Sequence, residues 1–77
     1  MRLRSIPTAR AAEIVADVAN LFGISDADVL SDCRRRDLIV ARREVYRQLR
    51  ALGASYPTIG RLMQRDHSTI MHALKAA

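Results

Sequence analysis

A chain of 77 residues and 8.6 kDa has material for one small domain. Surface scaling gives roughly 4,700 Å² folded against about 12,500 Å² extended, so about 60% of the surface is buried, enough for one modest core. That excludes a two-domain enzyme, a nucleotide-binding sheet with a second lobe, and any barrel. With 49% apolar and 27% charged residues the sequence reads as globular rather than disordered. No apolar run approaches the ~20 residues of a membrane span. Met1-Arg2-Leu3-Arg4-Ser5-Ile6-Pro7 has charge without the apolar stretch of a secretory signal. Cys33 is alone, which rules out an intrachain disulfide or a four-thiolate zinc site. A cytoplasmic protein is expected.

The charge is unevenly placed. Thirteen cations, twelve of them Arg, face eight acids for a net +5. Residues 1–33 carry a net −2 and residues 34–77 a net +7. The densest stretch holds Arg34, Arg35, Arg36, Arg42, Arg43, Arg47 and Arg50 against Asp37 and Glu44. Compositional bias explains Arg in place of Lys but not this clustering, which is the footprint of a polyanion site. Planar guanidinium groups also suit bidentate contact to phosphate or guanine.

Helix punctuation dominates the rest. Thr8 is a candidate N-cap for a helix from Ala9, on which Ile14, Val15, Val18, Leu21 and Phe22 recur at helical spacing before Gly23. Ser25 caps a short helix through about Leu30, with Asp26 and Asp28 in its first turn. Residues 31–36 are polar, basic and aperiodic, hence a loop. From about Asp37, Leu38, Ala41, Val45, Leu49 and Leu52 form one apolar stripe on a helix of about sixteen residues stopped by Gly53. Its other face carries Arg42, Arg43, Arg47 and Arg50. Ser55 caps the next helix, 56–63, with Pro57 in the first turn and Ile59, Leu62 and Met63 buried. After a break at 64–66 a last helix runs from Asp66 to about 75, with Ile70, Ala73 and Leu74 inward. No stretch alternates with period two. The expected fold is all-α: a small bundle of about five helices, residues 1–8 forming a flexible N-terminus.

The last two helices have the dimensions of a helix-turn-helix over about 56–75. With Ile70 inward, about 100° per residue puts Ser68, His72 and Lys75 on the opposite face, while Arg65, Asp66 and His67 crowd the N-terminal tip. These side chains supply donors for guanine, an acceptor for the cytosine amino group and a methyl for thymine.

The run Ile59-Gly60-Arg61-Leu62-Met63-Gln64-Arg65-Asp66-His67-Ser68-Thr69-Ile70-Met71-His72-Ala73 closely resembles the signature of the C-terminal DNA-binding domain of the bacterial chromosomal replication initiator, DnaA. Val15 to Ser31 looks like that family's first two helices, and Arg34-Arg35-Arg36 with Val40-Ala41-Arg42 like its basic loop and the start of its long helix, so the resemblance covers about residues 13–76. It implies a Trp-repressor-like helix-turn-helix domain over residues 1–77. The implied function is to read a short asymmetric double-stranded DNA box as a monomer, in replication control or transcription. By the same resemblance Arg65, Asp66, His67, Ser68 and Thr69 match the major-groove readers, and Arg36 and Arg35 the minor-groove arginine. Arg42 and Arg43 sit where the family touches phosphates, as do Tyr56 and Pro57; Arg34 and Lys75 join them as basic neighbours.

Two departures stand out. The segment around Met63-Gln64 is one residue shorter than the common family form and lacks its glycine, so Gln64 or Arg65 must turn the chain in a strained geometry. No G-x-x-x-x-G-K-[ST] run exists, so the initiator's nucleotide site is absent from this sequence. Either an excised domain or, in preference, a small stand-alone relative, bacterial or phage-borne, is expected.

Plainer roles compete at several positions. Asp66 is also an ideal N-cap, accepting the Thr69 N–H. His67 suits a solvated helix tip, His72 a packing or capping place, and Thr69 a local backbone bond. Arg47 and Arg50 fit a solvated face, Met63 and Met71 the core. Catalysis by Asp66-His67-Ser68 fails because consecutive helical side chains diverge by about 100°. His67 and His72 are five apart, not the spacing of a helical metal pair. Neither a cofactor nor a metal is expected, and no membrane or nucleotide partner. The rival function is a protein-interaction module that kept the fold and lost specific DNA binding.

Overall fold

Each helix starts or stops at a residue whose chemistry dictates it. A computed structural model of the chain describes residues 8–75, and within them five helices and no strand form. Apart from Thr8, the expected flexible N-terminus lies outside the described residues. α1 runs Thr8–Phe22, one residue earlier than its expected start, and ends where Gly23 takes a φ of 70°. A residue bearing Cβ pays about 1–2 kcal/mol there. α2, Asp26–Leu30, is capped as expected: Ser25 Oγ accepts the Asp28 N–H at 3.0 Å. α3 spans Arg36–Ala51, and α4 spans Tyr56–Met63 with Ser55 Oγ accepting the Thr58 N–H at 3.3 Å. α5 is His67–Lys75.

α3 is the spine. Its Leu38, Ala41, Val45 and Leu49 are fully buried, and the last three pack with Ile14, Val15 and Val18 of α1, Val29 of α2, and Ile59, Met63 and Ile70 of the two last helices. Each buried Val, Leu, Ile or Met among them contributes about 1.5–3 kcal/mol by leaving water. Tyr46 and Ala54 are buried too, beyond the expected stripe. Leu21, expected inside, is 78% exposed; Phe22 and Ile24 make the apolar contact at that end of α1 instead.

The break between α4 and α5 fixes how the helix-turn-helix presents itself. Gln64 lies in the left-handed region at φ 56°, ψ 47°, one of the two positions expected to carry the strain. The Arg65 N–H then returns to the Gly60 carbonyl at 2.8 Å. A Cβ at Gly60 would stand 2.5 Å from the Arg65 carbonyl oxygen, so only glycine lets the chain fold this closely over α4.

Candidate nucleic-acid interface

The tip of α5 is built around Asp66. Its Oδ1 accepts the Ser68 N–H at 3.3 Å, while its backbone carbonyl accepts the Thr69 N–H at 3.0 Å. The carboxylate therefore caps the helix one residue earlier than expected. His67 Nδ1 lies 3.4 Å from the same Oδ1, an ion pair when the imidazole is protonated. His67, Ser68, Thr69, His72 and Lys75 are exposed, over an Ile70 that is fully buried. The apolar anchor holds the helix while the polar side chains remain available to base edges and phosphates.

Arg65 does not join them. Its guanidinium turns back, away from the tip, onto the end of α2: Nη1 donates to Asp32 Oδ1 at 2.6 Å, and Nη2 donates to the Ser31 and Leu30 carbonyls. Its side chain is only 17% exposed. Burial opposes the charge, but the Asp32 carboxylate and Tyr46 outweigh it and hold the Arg65 pKa above its ordinary value. Arg65, expected among the major-groove readers, thus has its guanidinium on the 30–32 segment and not beside His67 and Ser68.

The arginine cluster divides by partner. Arg42, expected at phosphates, is buried: Nε donates to the Val29 carbonyl at 2.7 Å, and Nη2 to the carbonyls of Asp28 at 3.2 Å and Ser31 at 2.6 Å. It caps the C-terminus of α2, whose carbonyls have no helical partner and whose dipole favours a cation. Position 42 falls four residues after Leu38 and three before Val45, so it lies beside the apolar stripe and not on the opposite face where the sequence reading placed it. Arg35 pairs with Asp37 through two hydrogen bonds of 3.0 and 3.1 Å, which lower the Asp37 pKa. Arg47 pairs with Glu44, and Arg50 donates to the Ala54 carbonyl at 2.9 Å while lying 4.6 Å over the Tyr56 ring. Pro57 is exposed beside it in the first turn of α4.

Within this cluster three arginines make no side-chain hydrogen bond to a described residue. Arg34, Arg36 and Arg43 line one open groove of 540 Å³ together with the half-exposed Ile39 and Val40. The Arg43 Nε is buried and has no acceptor. A buried donor without a partner costs about 1–3 kcal/mol.

Residues 11–76 match the family described as the bacterial dnaA protein helix-turn-helix. The chain belongs to that family. It is 36% identical over 63 residues to the chromosomal replication initiator protein DnaA of Deinococcus radiodurans, a match covering 80% of this chain and 14% of that protein. To DnaA 2 of Chlamydia caviae it is 33% identical over 64 residues, covering 82% of this chain and 14% of the relative. DnaA 1 of Chlamydia pneumoniae matches at 30% identity with the same coverage. The chain thus spans about a seventh of the length of these relatives. No solved structure matches it.

Within this DnaA-type domain two features escaped the sequence reading. Asp32, the partner of Arg65, is the one acid in the 31–36 loop, but nothing local ties it to a residue 33 positions away. Ile39 and Val40 are large apolar side chains exposed inside the basic groove, invisible as such because they flank the stripe. Among the described residues no cluster of three potential metal ligands occurs, and no helix is long and apolar enough to cross a membrane.

Proposed function

We propose that this domain binds double-stranded DNA in a sequence-specific manner, as a monomer, in replication control or transcription. The observation that carries the reading is the pairing of two surfaces on one rigid core. An exposed polar helix tip (His67, Ser68, Thr69) stands beside a groove of anion-free arginines (Arg34, Arg36, Arg43). The tip of α5 enters the major groove, where His67, Ser68 and Thr69 meet base edges and Asp66 both caps the helix and offers its second oxygen to a cytosine amino group. Arg36, at the first turn of α3, reaches the adjacent minor groove with Arg35 beside it. Arg34, Arg43 and Lys75 hold phosphates, with Tyr56 and Pro57 presenting the start of α4 to the backbone. The chain supplies recognition alone, since its sequence holds no nucleotide-binding loop.

The test compares duplex carrying an initiator-type box with scrambled duplex. With about four phosphates neutralised, log K falls with log salt at a slope of about −4. The double change His67→Ala, Ser68→Ala leaves the cap and Ile70 in place. It lowers affinity for the box by ~1–3 kcal/mol per lost base contact and leaves the scrambled duplex nearly unaffected. A slope near zero would remove DNA as the partner and leave an acidic protein surface as the ligand of the arginine groove.

A further inference from the structure

Where a loop occupies the minor groove and a helix tip the neighbouring major groove, one sugar–phosphate strand must pass between them. In this fold the space between the basic loop and α5 is an open cleft of 610 Å³ lined by Asp32, Arg34, Ile39, Arg65 and Thr69. Two cations and a hydroxyl there suit a phosphate. The carboxylate does not. Asp32 is 95% exposed, its carboxylate makes no other hydrogen bond to a described residue, and it sits 2.6 Å from Arg65 Nη1. Arg65 Nη2 is meanwhile held by the Ser31 and Leu30 carbonyls, so the guanidinium is anchored by one prong and presents the other at the cleft.

We propose that Asp32 is a resident counter-anion: it occupies the seat of the phosphate that passes between the two grooves, and that phosphate displaces it from Arg65 on binding. This rests on the DNA-binding reading above and assigns Arg65 a positioning and phosphate-seating role in place of base contact. The exchange is chemically simple. Nη1 trades a carboxylate oxygen for a phosphate oxygen, both strong acceptors for a guanidinium, while Nη2 keeps its carbonyls and the loop keeps its place. Asp32, exposed and otherwise unbonded, swings into water at little cost. Its charge then stays near the strand and opposes every duplex, whatever its sequence.

Removing that charge therefore tightens binding without altering base reading. Asp32→Asn raises affinity about fivefold at low salt, the scale of two like charges a few ångströms apart in water, equally on box-bearing and scrambled duplex. The gain shrinks as salt rises. Asp32→Glu, which keeps the charge, stays near the wild type. In an Arg65→Gln background the Asp32→Asn gain shrinks, since no guanidinium then draws the phosphate next to position 32; circular dichroism melting checks that this variant folds. A readout that needs no Arg65 substitution is NMR of the Arg65 guanidinium nitrogens. DNA moves the wild-type and Asp32→Asn resonances to one common position. Wild-type binding with no gain from Asp32→Asn, or an Arg65 resonance unmoved by DNA, would overturn this proposal alone. No wild-type binding to any duplex at low salt would sink the DNA reading and this one with it.

Discussion

On α5, Ser68, Thr69 and His72 stand exposed around a buried Ile70, each where helical periodicity puts it. Along residues 34–50, seven side chains of one type have unlike surroundings. Arg42 is buried on backbone carbonyls, Arg35 and Arg47 are tied to carboxylates, and Arg50 donates to the Ala54 carbonyl. Arg34, Arg36 and Arg43 open onto a groove without an anion. The difference is one of information. On a short amphipathic helix a single angle per residue decides which side chain faces solvent. The role of an arginine is decided by which acceptors come within reach of a long, flexible stem, and those are tertiary facts.

The largest expected effect separates two adjacent arginines. Arg42→Ala leaves the buried Val29 carbonyl without its donor and takes one donor each from the Asp28 and Ser31 carbonyls, which keep the Ser31 N–H and Arg65, at a cost of about 1–3 kcal/mol. For a domain whose whole stability is about 4–12 kcal/mol, that is a large part. Arg43→Ala does not lower the melting temperature, since it removes a buried donor that has no acceptor, and instead flattens the salt dependence of DNA binding by about one unit. Chemical denaturation and salt-titrated binding on the two variants measure both. If Arg42→Ala melted like the wild type, the division between structural and ligand-facing arginines would fail.

Most of the fold was legible because its punctuation is local: Ser25, Ser55, Gly23 and the 64–66 break each act within a few residues of themselves, and every helix boundary falls within about two residues of its expected place. The polar face of α5 was legible for the same reason. Leu21 was not, since its angle on α1 matches Ile14 and only the absence of a covering neighbour exposes it. Arg65 was not either. It belongs to the recognition motif by sequence, but its partners Leu30, Ser31 and Asp32 lie more than thirty positions away. Arg42 was not legible either: read onto the exposed face with Arg43, it is buried on the carbonyls at the end of α2.

A smaller effect sharpens the comparison at the turn that joins the two helices of the motif. Gln64 pays the left-handed cost that glycine avoids, about 1–2 kcal/mol less the extra entropy glycine loses on folding. Gln64→Gly therefore raises stability by about 0.5–1 kcal/mol, read as a higher denaturant midpoint. Gln64→Ala, which keeps Cβ, gains none of it. Affinity for duplex stays the same in both, because Gln64 lies behind the reading face. A loss of binding in Gln64→Gly would mean that the strain itself holds α5 at its working angle.

The smallest effect concerns the arginines that already have a carboxylate. Glu44 is held below its ordinary pKa by hydrogen bonds from Gln48 and Arg47, and Asp37 below its own by Arg35. A carboxyl group whose folded pKa is lowered stabilises the fold above its unfolded pKa, and that contribution drains away as pH falls through the folded value. For these two groups the loss begins below their ordinary 4.5 and 3.8 and continues at still lower pH. Both pairs lie at the surface, so the effect is a modest drop in melting temperature between about pH 5 and pH 3, weakened by salt. Glu44→Gln together with Asp37→Asn lowers the melting temperature slightly at neutral pH and flattens the acid limb. The same double variant frees Arg35 and Arg47 without creating a new cation. If DNA affinity then rises to the extent that an added phosphate contact would give, the tethered arginines are a reserve held back by their carboxylates. If it stays at the wild-type value, position on α3 and not partnership decides which arginines meet the duplex, and the groove of Arg34, Arg36 and Arg43 is the whole of the DNA-facing surface on that helix and loop.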